Sequence, residues 1–512
     1  MSDGGAGRRP RGPGPGQGRR GRQRSAQAPR DRSRTGDPAR RTAYRVLRAV
    51  ADGAYTNLEL STALRRARLT GRDAAFVTEL VSGTTRWQGR YDPIIALASG
   101  RDVSRIDPAV LDTLRLGAHQ LLGMRVPEHA AVGETVALAR AVNGIGASTL
   151  VNAVLRRISE RTLEAWLEET VPAEPLTARL AVLQSHPEWI VKALRQALIG
   201  HGAADPQSAD TELERLLVTN NEPPTVHLVA RPGLGAEEDL RDAGAEEYAV
   251  APTAWTLAGG DPGRISAVRD GRAAVQDAGS QLVALALAAA PVVGQAQADG
   301  GSGAGERWLD LCAGPGGKAG LLAALALQQG ADLVANEVSP HRAELVRSTL
   351  AAAAARAEAV GGTLEVRVGD GRELGESEPG TYSRVLVDAP CTGLGALRRR
   401  PEARWRRQPS DLAALGPLQR ELLQSALDAT APGGVVAYAT CSPHLAETTF
   451  VVGDVLKRRS DVEVLDAREL VRGRDGEPLA DLGEGPYVQL WPHMHGTDGM
   501  FVALLRRIEG VS

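Results

Sequence analysis

Apolar side chains recur every three to four positions along the first third of the chain. Tyr44, Val46, Leu47 and Val50 fall on one helical face, and Leu58, Leu60 and Leu64 follow the turn Asp52-Gly53. The same period runs through 74–97, 108–122, 129–142 and 147–158. Asp107-Pro108 and Pro127-Glu128 punctuate these runs, and proline suits a first helical turn. Short links between five or six helices predict an all-α bundle over residues 38–165.

The pattern then mixes. Over 166–290, a helical period starts at Pro187-Glu188-Trp189, Thr225–Ala230 alternates like a strand, and an apolar helix spans Ser280–Ala290. This predicts a small α/β connector packed on the next unit. A Gly/Ala/Gln/Asp stretch fills the expected flexible loop at 291–306. From Arg307 to the end, strands and helices alternate. Strands are expected at 308–312, 333–337, 363–368, 384–388, 435–440, 462–465 and 500–505, with helices at 318–329, 340–360, 411–431 and 447–459. That order predicts a doubly wound, Rossmann-like α/β domain of seven strands, the last an antiparallel insert.

Composition narrows the class. With 512 residues, 43% apolar and 24% charged, the chain is globular and multidomain. It has no long uninterrupted apolar run and no apolar N-terminal segment, so neither a membrane span nor a secretory signal is expected. Three cysteines make no disulfide framework and fit a reducing cytoplasm. The net charge of −2 is unevenly spread: residues 1–40 carry eleven Arg and three Asp. The Arg/Gly/Pro-rich segment 1–37 has no apolar period and is expected to be disordered, either attracting RNA phosphates or only solubilising the chain. Only Lys192, Lys318 and Lys457 are lysines, which makes a lysine in a Gly-rich loop more noticeable.

Candidate chemistry gathers at the predicted strand ends. Asp310-Leu311-Cys312-Ala313-Gly314-Pro315-Gly316-Gly317-Lys318 joins a strand to a helix. Its glycines suit close ligand approach, but it is neither GxGxxG nor a P-loop, because Ala319 follows the lysine. Glu337 ends the next strand and could accept ribose hydroxyls, and Asp370 ends the third and could reach an adenine amino group. Together they point to a nucleoside cofactor. Asp388-Ala389-Pro390-Cys391-Thr392-Gly393 follows the fourth strand, and Ala439-Thr440-Cys441-Ser442-Pro443 the fifth. If those strands are neighbours, Cys391 and Cys441 face one cleft; Cys312 is expected to pack within its loop. Six arginines crowd 396–407. Arg398, Arg399, Arg400 and Arg404, with Trp405 among them, are candidates to neutralise phosphate and stack a base. No metal-ligand pattern is evident; His493 and His495 lack partners.

The set Asp-Leu-Cys-Ala-Gly-Pro-Gly-Gly-Lys, Asp-Ala-Pro-Cys and Ala-Thr-Cys-Ser-Pro resembles the Nop/Sun family of RNA cytosine-C5 methyltransferases. Val275-Gln276-Asp277, Arg399-Arg400-Pro401-Glu402 and Gly496–Phe501 extend the likeness. The helical segment resembles the NusB-like RNA-binding domain through Arg41–Ala54, Phe76–Gly83, Leu114–Leu121, Ala130–Val136 and Val151–Arg157. Together they look most like the bacterial 16S rRNA (Fmu/Sun-type) members. Glu337 departs from the usual Asp but keeps its charge. The resemblance implies S-adenosylmethionine as cofactor, held by residues 312–318, Glu337, Asp370 and Asp388, and RNA as partner. It implies Cys441 as nucleophile toward C6 of cytosine, Asp388 at the N3 edge, and Cys391 assisting proton removal and release. Another RNA such as tRNA, a DNA enzyme with the nucleophile in the Pro-Cys loop, and a non-catalytic RNA-binding or assembly factor are the competing possibilities.

Overall fold

The computed structural model describes residues 37–294 and 305–509. The tail expected over 1–37 therefore lies outside the described residues except for Asp37, as does most of the loop expected over 291–306.

Six helices form the N-terminal bundle: Pro38–Ala51, Thr56–Ala67, Gly71–Ser99, Pro108–Leu122, Glu128–Val142 and Ile145–Ser159. Asp37 and Asp107 cap two of them, each accepting from a backbone N–H in the first turn ahead of a proline at the helix start. One apolar face carries Val46, Leu47 and Val50 against Val77 and Leu80. A second core joins Ile94 and Ile95 to Leu114, Val151 and Leu155. Gly117 permits this approach: a Cβ there would sit 2.5 Å from the Leu155 side chain.

The connector holds a small antiparallel sheet of β1 (Val226–Ala230), β2 (Glu246–Glu247), β3 (Ala254–Leu257) and β4 (Ala273–Val275), ordered β2-β3-β1-β4. The helix Ala278–Ala289 is apolar on nearly every side and is buried accordingly, with Leu282 and Leu287 in one core with Trp308 and Leu386 of a larger sheet and Leu322 of the helix Gly317–Gln329.

That larger sheet comprises β5 (Arg307–Asp310), β6 (Asp332–Glu337), β7 (Leu364–Val368), β8 (Tyr382–Asp388), β9 (Thr430–Thr440), β10 (Val462–Leu465), β11 (Val488–Gln489) and β12 (Phe501–Arg507). The order is β10-β12-β9-β8-β5-β6-β7, with β11 added on β12. Strands β5 to β9 run parallel, and β12 inserts antiparallel between β9 and β10. Chain order reverses between β5 and β8, and ligands bind outside the carboxyl ends of strands at such a switch point. Among the described residues no helix is long and apolar enough to cross a membrane.

The arginine-rich segment after β8 does not form an open RNA-facing patch, which corrects the expectation for most of its members. Arg404 is fully buried. It donates to the carbonyls of Ser185 (3.2 Å), Asn220 (2.6 Å) and Arg86 (3.4 Å) and to Asn221 Oδ1 (2.7 Å). Trp405 Nε1 donates to Thr85 O at 2.7 Å, and its ring lies where a side chain at Gly89 would collide with it. Arg398 is buried and donates to Gly496 O. Arg399 pairs with Asp277 and Asp498. These side chains bind bundle, connector and catalytic domain together; phosphate would have to strip them from buried oxygens. Of the five candidates only Arg400 is exposed.

Replacing Arg404 by Ala leaves four buried oxygens without this donor. A loss of about 3 kcal/mol is expected, read as a lower thermal midpoint. An unchanged midpoint would show that the guanidinium is not structural.

Candidate active site

Five strand ends build the site. The loop after β5 turns sharply at Gly314 (φ +59°) and Gly316 (φ +99°), a left-handed geometry that favours glycine. At Gly316 a Cβ would also press within 2.9 Å of Thr349. Gly317 then starts the helix Gly317–Gln329, and a Cβ there would meet no atom within 4 Å, leaving the backbone open to a ligand. Ala313 N–H bonds to Asn336 O, and Thr349 Oγ1 donates to Pro315 O, so the loop is braced from both flanks. Cys312 is part-buried against the core of Leu309, Leu311 and Val334, where burial pushes its thiol well up.

Glu337 is buried at the tip of β6. Its Oε2 accepts only Gly314 N–H (3.0 Å), while Oε1 takes Ser339 N–H and Arg342. A lone pair on Oε2 therefore remains for a hydroxyl. Asp370 caps the turn after β7 and is chelated by Arg372, which makes it the least available of the three carboxylates.

Asp310 is a residue that the sequence reading quoted but did not assign. It is completely buried, and neither carboxylate oxygen has a hydrogen-bond partner. Burial, then the nearby charge of Asp388, pushes its carboxyl up to about 8. An orphaned buried carboxylate beside an open glycine loop fits a ligand carrying a cationic group. The methionyl ammonium of S-adenosylmethionine is such a group, and Glu337 fits its ribose.

Next to this loop, Lys318 Nζ donates to Asp388 Oδ2 at 2.8 Å. Burial opposes the ammonium charge, but Asp388 holds the proton on. Strands β8 and β9 are adjacent, with Asp388 opposite Ala439. That register brings the two following loops together, and Cys391 Sγ lies 3.3 Å from Cys441 Sγ. The pair is polarised. The bond from Cys391 lowers Cys441, with Lys318 and Arg400 adding to the effect against burial and Asp388. The same bond, followed by burial and the charges of Cys441 and Glu447, pushes Cys391 up. Either sulfur can donate this bond; Lys318 and Arg400 favour a thiolate at Cys441, while burial and Glu447 disfavour one at Cys391.

The Pro-Cys loop is fixed from outside. Arg407 donates to the carbonyls of Thr392 and Cys391. Gly395 N–H bonds to Cys441 O and Gly499 N–H to Gly395 O, a contact so close that a Cβ on Gly395 would fall 2.0 Å from Gly499 O. Asp277, in the connector, accepts from His227 and Arg399 and from the backbone of Asp498. It braces the same corner; burial raises its carboxyl, but these donors outweigh it and hold the group low. Among the described residues no cluster of three metal-ligating side chains occurs.

Known proteins match this organisation. The family described as 16S rRNA methyltransferase RsmB/F matches residues 302–506, and the NusB family matches 37–160. A Mycobacterium tuberculosis protein provisionally named as a methyltransferase is 52% identical, covering 93% of this chain and 98% of its own. The ribosomal RNA small subunit methyltransferase B of Pseudomonas syringae is 33% identical over 92% of this chain and 97% of its own. The crystal structure of PH0851 shares the fold, at a TM-score of 0.73 and 20% identity, over 92% of this chain and 98% of that one. These sequence matches place the chain in the RsmB/F family of 16S rRNA methyltransferases.

Proposed function

We propose that this protein methylates C5 of a cytosine in 16S rRNA, with Cys441 as the nucleophile. The observation that carries the proposal is the 3.3 Å pair of sulfurs at the ends of two neighbouring strands, beside the Lys318–Asp388 pair and with the cations Lys318 and Arg400 acting on Cys441. C5 of cytosine is a poor nucleophile; a thiolate added at C6 makes it enamine-like. S-adenosylmethionine, when bound, supplies an electrophilic methyl group. Asp310, Glu337 and the backbone of 312–317 hold it, with Asp370 next to them. Lys318 fixes one oxygen of Asp388, and the other is left to orient the amino–N3 edge of the base and stabilise charge there.

Cys391 serves the release step. Once Cys441 is bonded to the ring, its contribution to holding the Cys391 proton is gone; burial and Glu447 still oppose a thiolate there, and the proton is lost to solvent before release. Release then breaks the C5–H and C6–Sγ bonds and forms the C5–C6 double bond. The C5 proton passes to the Cys391 thiolate, and Cys441 departs as thiolate. The target must leave any base stack to reach two cysteines. Arg400 is the exposed cation nearest this chemistry in sequence and is proposed as a phosphate contact.

Three tests follow. With 16S rRNA, Cys441→Ala is expected to lose methyl transfer and form no adduct, whereas Cys391→Ala accumulates a denaturant-resistant protein–RNA band. The opposite pattern on a denaturing gel would assign the nucleophile to Cys391. Lys318→Met removes a cation that lowers Cys441. The Cys441 pKa then rises, and its alkylation profile, followed by mass spectrometry, shifts to higher pH by about one unit. A profile that stays in place would remove Lys318 from thiolate stabilisation. Asp310→Asn is expected to weaken S-adenosylmethionine binding by about tenfold or more in calorimetry; unchanged affinity would rule out the ammonium contact.

A further inference from the structure

Beside the two cysteines lies a carboxylate that the chemistry above does not use. Glu447 sits in a short turn six residues beyond Cys441 and is 1% exposed. Its Oε1 accepts the backbone N–H of Thr392 at 2.8 Å and Gln419 Nε2 at 3.2 Å, and its Oε2 accepts the Thr392 hydroxyl. Gln419, also fully buried, donates from the same nitrogen to Pro390 O at 2.8 Å. The residues on both sides of Cys391 are therefore held by one carboxylate–amide pair. Thr392 Oγ1 further lies 3.2 Å from Ser442 Oγ, next to Cys441. Tyr438 fixes the turn itself by donating to Glu447 O at 2.8 Å.

A buried carboxylate is costly unless its lone pairs are filled, and here the filling groups come from the Cys391 loop and the helix Pro409–Ala429. Glu447 belongs to the Cys441 loop. It is thus a tie between two loops that come from different strands and whose sulfurs must meet one ring. We infer that Glu447 is a positioning residue for product release, seating Cys391 against Cys441 through Thr392 and Gln419. The inference rests on the assignment of Cys391 to the release step. Methyl transfer needs Cys441, Asp388 and the bound methyl donor, none of which Glu447 touches. Release needs Cys391 at a set distance from C5, and a loop freed at Pro390 and Thr392 loses that distance.

The test separates one turnover from many. Glu447→Gln offers one acceptor oxygen where two are used, and Thr392→Val keeps shape but removes the hydroxyl. Each variant is expected to methylate in a single turnover within about twofold of the parent, to turn over about tenfold more slowly, and to accumulate the denaturant-resistant band. Thr392→Ser, which keeps the donor, restores release. Parent-like turnover without a band in Glu447→Gln overturns the inference, as does a folded variant that loses single-turnover transfer and release equally. If Glu447→Gln does not fold, Thr392→Val decides on the same criteria. Cys391→Ala runs in parallel: if it gives no band, the cysteine assignment itself fails and takes this inference with it. A band with Cys391→Ala and none with the other two rejects Glu447 alone.

Discussion

One guanidinium with no carboxylate partner closes the centre of this molecule. Arg404 is surrounded by backbone and amide oxygens from the helical bundle and the connector, while its own chain belongs to the catalytic domain. Desolvating an arginine is expensive, and only a full set of acceptors makes it tolerable. Once that set is assembled, the segment around it has one position. Trp405 and Arg406 dock on the bundle, Arg407 reaches back to the Cys391 loop, and Arg399 locks to Asp277. Active-site geometry is thus inherited from an interdomain contact.

The site also shows how few charges are needed to distinguish two cysteines. Both cysteines are part-buried and share one hydrogen bond. What separates them is which neighbours each one sees: Lys318 and Arg400 act on Cys441, Glu447 on Cys391. Lys318 serves Asp388 and Cys441 together, so one ammonium links the groups proposed to hold the base and to attack it.

Much of this was legible in the chain. Apolar periodicity located the bundle helices and seven of the eight strands of the large sheet to within a few residues, because their faces are buried on a regular period; the two-residue β11 is too short to carry one. The meeting of Cys391 and Cys441 followed from a conditional argument about neighbouring strands, and the pairing of β8 with β9 supplies the condition. The arginine segment was misread because charge in a sequence says nothing of its partners. Three of the four acceptors of Arg404 are backbone carbonyls more than 180 positions away, and backbone carbonyls leave no mark in composition. Asp310 and Glu447 went unassigned for a related reason. A carboxylate's importance here lies in having no partner or three, and either count exists only after folding. The alternation Arg-Trp-Arg beside Pro401-Glu402 was the one hint, since a tryptophan amid arginines is as suited to an interface as to a base.

The docking of the bundle through Arg404, Trp405 and Arg406 has a consequence for how a substrate is measured. The bundle surface stands at a fixed span from the two sulfurs, because one short stretch of chain carries both the anchor and the reactive loop. The protein has the build of a caliper with its jaws set. A substrate held on the bundle would meet the sulfurs only at that span.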